Sequence, residues 1–359
     1  MAVGKFLGKH GAGLGGTGLS LAIGTAGGGL FALAGLPAPW LSGSGLAAAV
    51  AAVAGVRIAV PHWLHTVSLV VLGVIAGSAV TPETLSLMAR WPVSLAGLAV
   101  CVLLIMVSVS QYLERVHGYD RTTAKLAAVP GAMPYVLALA SQCPGADTRR
   151  VAIIQVVRLA ALLILLPTVL TQLGVTKPPS AAAVRPDAPL LDLLVLVVLS
   201  AIGGWSFERL RIPAAWLLGP MVGAALATGS GAVDNVLPAW LTVPGLVVMG
   251  TIVGANFSGL DRRLLTSTLA AGLGSVVVGG LAGVAAALPV AWLLSLPVAQ
   301  VWLAYAPGGV EMMAIMALAL GLDVAYVGGH HAVRFIGLGL AVPFWLREEL
   351  RAPSGRAAE

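Results

Sequence analysis

The sequence predicts an all-α integral membrane protein made of two inverted-topology repeats, each of about five transmembrane helices plus a broken or re-entrant Pro/Gly element. Three observations predict it. The 359-residue chain is 58% hydrophobic and only 9% charged, with a mean hydropathy of +0.97, far outside the range of soluble domains. Compared with itself at an offset of 176 or 177 residues, it shows a second copy of its own pattern. Its basic residues sort to one side of a membrane only if one segment of each copy doubles back.

Twelve apolar segments follow in order, near 17–36, 40–56, 63–81, 92–113, 122–142 and 149–170, then 190–206, 214–230, 240–257, 266–295, 298–320 and 324–346. Residues 1–16 and 347–359 are terminal tails, 17–170 the first repeat, 171–189 a polar linker, and 190–346 the second repeat. Gly28, Pro37, Trp40 and Gly43 recur as Gly204, Pro213, Trp216 and Gly219. Pro61, Trp63, Gly73, Gly77, Pro130 and Gly131 recur as Pro238, Trp240, Gly250, Gly254, Pro307 and Gly308. Asp147, Arg158 and Pro167 recur as Asp323, Arg334 and Pro343. The start has the basic region and apolar run of a signal peptide. Because its apolar segment is part of the first repeat, it is expected to be retained.

Six full spans per repeat would place the two halves in the same orientation, and five would invert the second. Charge separates these cases. With the fifth segment of each repeat re-entrant and the amino terminus cytoplasmic, fifteen of the 20 Lys and Arg residues fall inside. Only Arg90, Lys177 and Arg185 fall outside, and Arg158 and Arg334 remain within the membrane. Cytoplasmic loops are the basic ones, so this arrangement is expected: both termini in the cytoplasm, residues 174–189 external, and the chain in a bacterial inner membrane.

The fifth segments carry the breaks "VPGAMP" (129–134) and "APGGVE" (306–311). Backbone without internal hydrogen bonds is tolerated at membrane depth only inside protein or against a wet cavity. Paired breaks in corresponding places of two halves point to the substrate site of a secondary transporter. Amides at the restarted helices favour an anion. Pro130, Gly131, Pro307, Gly308 and Gly309 therefore mark the candidate substrate or ion site.

After each break comes a helix with Asp147, Gln155 and Arg158, or with Asp323, His330, His331 and Arg334. An intramembrane arginine is a functional candidate by default. It either meets substrate or neutralises the carbonyl ends of the broken helices. Asp147 and Asp323 follow Gly-x at a helix start and read as N-caps, with an ion site as the alternative. Glu311 has no counterpart in the first copy, where Pro134 stands. It is a candidate for coupling to a proton or Na+, or for a buried salt bridge, with His330 and His331 as relays or as hydrogen-bonded core residues.

Other chemistries lack their residues. No strand precedes the glycines, so a dinucleotide loop is excluded. Cys101 and Cys143 show no metal or disulfide spacing, and no cofactor is implied. The net charge of +6 belongs to short loops, so direct nucleic-acid binding is not expected.

The stretches "AAVPGAMPYVLALA", "GADTRRVAIIQVVRL" and "YAPGGVEMMAIMALALGLDVAYVGGHHAVRFIGLGLAVP" resemble the AbrB membrane family, whose members carry a duplicated domain. The resemblance covers essentially the whole chain. Members are labelled as regulators of the aidB gene or as ammonia monooxygenases, and the family looks related to the cation/proton antiporter and anion transporter group. It is distinct from the small DNA-binding regulator of the same name. The resemblance implies a homodimer that works on a small-molecule solute within the lipid bilayer. The expected function is ion-coupled secondary transport or export of a small anionic solute by an elevator-like mechanism. The alternative is a membrane sensor or regulator that affects gene expression indirectly. An enzyme is not expected, since oxygenase ligand clusters are missing.

Overall fold

A computed structural model describes residues 14–78, 91–143, 145–172, 190–230, 233 and 241–351. These residues form helices and connections, with no strand among them. The first copy runs α1 (Leu14–Leu33), α2 (Pro39–Val53), α3 (His62–Gly77), α4 (Trp91–His117), α5 (Arg121–Ala128), α6 (Met133–Ala140) and α7 (Thr148–Gln172). The second runs α8 (Leu190–Arg209), α9 (Ala215–Gly229), α10 (Thr242–Ala255), α11 (Arg262–Leu294), α12 (Val298–Tyr305), α13 (Val310–Ala319) and α14 (Val324–Trp345), followed by the short α15 (Arg347–Arg351). Among the described residues, four helices are long and apolar enough to cross a membrane, and α2, α3, α9, α10 and α13 are shorter apolar helices.

The repeated glycines are places where helix backbones meet. A Cβ on Gly73 would lie 2.4 Å from the Leu217 carbonyl, and one on Gly250 would lie 2.3 Å from the Leu41 carbonyl. Gly77 meets Met221 in the same way, and Gly254 meets the Gly45 carbonyl. These are reciprocal contacts: α3 of the first copy lies on α9 of the second, and α10 of the second lies on α2 of the first. Within each copy, Gly28 packs under the Trp40 ring and Gly204 under the Trp216 ring, closing α1 on α2 and α8 on α9. Small residues let helices approach where lipid gives no hydrophobic drive. Trp40 and Trp216 thus serve as packing partners of these glycines.

The two copies run in opposite directions. Gly97 lies against Val290, Gly279 lies near Ile105 and Val109, and Gly274 lies against Tyr112, so the equivalent helices α4 and α11 are antiparallel neighbours. The first hairpin returns to the face it left, because the amide of Asp147 at the start of α7 donates to Thr123 Oγ1 at the start of α5 (2.8 Å). Arg150 stacks over Tyr119 on that same face, 5.1 Å from the ring centre. In the second copy α14 runs alongside α12 in the same way, with His331 at Leu303 and Arg334 at Ala306. Each fifth segment is therefore two short helices that dip in and return, entering from opposite faces.

Packing divides the helices into two bodies. One contains α1–α3 and α8–α10; the other contains α4–α7 and α11–α14. A few ties join them, among them the Ser42 hydroxyl donating to the Leu163 carbonyl (2.7 Å). At the end of the second repeat, α15 clasps the start of α5. Lys125 Nζ lies 2.6 Å from Glu349 Oε1 and donates to the Trp345 carbonyl, while Arg121 reaches Glu348.

Candidate functional site

The breaks are made by residues that cannot continue a helix. Pro130 and Pro307 lack an amide hydrogen, and the residues before them, Val129 and Ala306, take the extended ψ values of 122° and 142° that a following proline imposes. Gly131 then turns through φ +79°, where a side chain would be strained. A Cβ there would sit 2.9 Å from the Gly308 carbonyl and 3.2 Å from Arg334 Nη2, so the two breaks touch. Gly308 packs against Met313, while Gly309 has open space beside it and serves as the N-cap of α13.

Both arginines are buried, Arg158 to 1% exposure and Arg334 to 4%. Arg158 donates to the carbonyls of Ala127 (3.3 Å) and Val129 (2.9 Å), and to Gln155 Oε1. Arg334 donates to the carbonyls of Ala306 and Gly308. The guanidiniums thus lie on the carbonyl ends of the first half-helices, where the helix dipole is negative. Gln155 Nε2 donates to the Val129 carbonyl (3.2 Å), and its counterpart His331 donates from Nε2 to the Leu303 carbonyl (2.9 Å). Arg158 Nε and His331 Nδ1 are buried without a hydrogen-bond partner.

His330 lies in a separate tie. Its Nδ1 faces the Tyr326 carbonyl (2.8 Å), so Nδ1 carries the proton, and Nε2 accepts from the Ser94 hydroxyl (2.9 Å). Tyr326 hydrogen-bonds the same hydroxyl, and Tyr305 donates to the Ser94 carbonyl. This cluster joins α4, α12 and α14. Nothing in the repeat pattern revealed it, because Ile154 and Arg150 stand where His330 and Tyr326 would recur.

Asp147 and Asp323 cap their helices. Asp147 Oδ1 accepts from the amides of Arg149 (3.1 Å) and Arg150 (3.0 Å), and Asp323 Oδ1 from that of Tyr326 (3.0 Å). Neither α6 nor α13 has a side-chain cap, so their starts present amides at the crossing. Glu311 stands in the first turn of α13 and points out of its own body. Its Oε2 lies 3.3 Å from Nε2 of His65 on α3, an ion-pair approach without hydrogen-bond alignment. Sequence reasoning missed His65, which has no counterpart in the second copy; Thr242 occupies its place.

Apolar helices of membrane-spanning length, two antiparallel copies and a pair of opposed broken hairpins define a multi-pass membrane protein of transporter-like architecture. The chain belongs to the AbrB family, described as transition state regulatory protein AbrB, which matches residues 40–348. It is similar to a protein of Escherichia coli (strain K12) named as a regulator, AbrB, at 26% identity over 86% of this chain and 89% of that protein. It is also similar to the uncharacterized protein YhjN of Bacillus subtilis (strain 168), at 25% identity over 90% of this chain and 91% of that one. No solved structure matches it.

Proposed function

We propose that this protein is a secondary transporter or exporter of a small anionic solute, coupled to an ion and working by elevator-like alternating access. The observation that carries the reading is the meeting of two oppositely directed hairpins at Gly131 and Gly308, beside two arginines and two helix starts without side-chain caps. The buried guanidiniums cancel the carbonyl ends and leave the amide ends, so the crossing favours a negative solute. The division into two bodies with few ties supports a rigid-body movement of the hairpin body against the other. Glu311 and His65 meet across that boundary, which favours Glu311 as the coupling carboxylate. The proposed setting is the bacterial inner membrane with both termini cytoplasmic, in a homodimer.

The name of the Escherichia coli relative favours a second reading, a membrane sensor or regulator on the same fold. Two experiments in sequence separate them. A thermal-shift screen of metabolite anions across pH identifies a ligand by the stability it adds to the folded state. Counterflow of that ligand in proteoliposomes supports transport; binding without counterflow supports the sensor.

A further inference from the structure

In transporters with broken helices, unwound carbonyls and half-helix C-terminal ends are the ligands for a coupling cation. Here several of those oxygens are held by the chain itself. Arg158 holds the carbonyls of Ala127 and Val129, and Arg334 holds those of Ala306 and Gly308. Gln155 and His331 donate to Val129 and Leu303, and Cys101 Sγ approaches the Tyr305 carbonyl at 3.9 Å. Each guanidinium comes from the helix that follows its hairpin, α7 or α14, and so stays with the break when the hairpin body moves.

We propose that the two breaks are monovalent-cation sites permanently filled by tethered guanidiniums, so that the protein takes no alkali cation there. A second positive charge about 4 Å from a fixed guanidinium in a partly buried site would bind about a thousand-fold more weakly than in its absence. Built on the transport reading, this removes the breaks as a site for Na+ and favours the proton as the coupling ion, with Glu311 its carrier. The group facing Glu311 across the body boundary is His65, whose ring stacks edge-on with His62 at 6.2 Å. Emptied by mutation, either break becomes a site for a free monovalent cation, guanidinium first.

The test is thermal unfolding of the purified full chain with Na+, K+ and N-methylglucamine exchanged at constant ionic strength. The wild type is expected to melt within about 1 °C in all three, and Arg158→Ala and Arg334→Ala about 5 °C or more lower. Guanidinium chloride at about 10 mM, far below denaturing concentrations, should restore part of that loss saturably and leave the wild type unchanged. Arg334→Lys keeps a charge with a poorer fork and is expected to fall between, a readout that remains if the alanine variants do not fold. A saturable rise of the wild-type melting temperature with Na+ but not K+ would overturn the proposal, as would alanine variants indifferent to every cation. None of these readings needs transport, so a lack of counterflow would sink the transport reading without touching this one.

Discussion

Gln155 and His331 occupy matching places and do one job with different chemistry, each donating to a carbonyl at the end of the half-helix before the break. That argues against His331 as a proton relay, since its Nε2 proton is committed to Leu303. His331→Gln should then change stability by less than about 1 kcal/mol, whereas His331→Ala, which strands a buried carbonyl, should cost about 1–3 kcal/mol. Thermal unfolding of both variants checks this, and equal losses would contradict it. Glu311 is the opposite case, a carboxylate with no structural duty inside its own body. Glu311→Gln and His65→Gln should both abolish gradient-driven accumulation and leave exchange of ligand at equal concentrations largely intact. Unchanged coupling in both variants would assign the pair to structure. The arginines, the prolines, Gly131 and Gly308 were legible because they recur and because the membrane makes each of them costly. His65 was not, since its role depends on where α3 lands and it has no repeat partner to draw attention to it.

At the scale of the helix, the repeated glycines set how the two copies pack. Gly73 and Gly250 sit at symmetry-related contacts, each against the backbone of a helix from the other copy. Gly73→Val and Gly250→Val should therefore be similarly destabilising, each by about 2 kcal/mol, measured by thermal unfolding. A marked inequality would argue against the two-fold relation. The copies were visible in the sequence because these close approaches admit almost no other residue. The doubling back of the fifth segments was also legible, through the sorting of charge. The split of each into two short helices was foreshadowed by Pro-Gly alone, but the partners of the freed carbonyls were not. Those partners come from α7 and α14, and one-dimensional spacing left open whether their arginines face substrate or backbone. The Ser94, Tyr305 and Tyr326 tie and the clasp of α15 on α5 were hidden for a related reason: each joins residues more than 200 positions apart, without any repeated signature.

For the molecule as a whole, orientation is the simplest test. Residues 5, 180 and 356 lie outside those the structure describes, so the test rests on the charge pattern. A membrane-impermeant thiol reagent applied from outside should label Ser180→Cys and spare Lys5→Cys and Arg356→Cys. The reverse pattern would turn the proposed orientation over. In the proposed mechanism the hairpin body moves against its neighbour to carry an anion. The measurement closest to it places cysteines at positions 65 and 311, which face each other across the two bodies, and follows counterflow of the thermally identified anion in proteoliposomes. Counterflow should stop when the pair is cross-linked and return on reduction. Undiminished counterflow in fully cross-linked protein would contradict it.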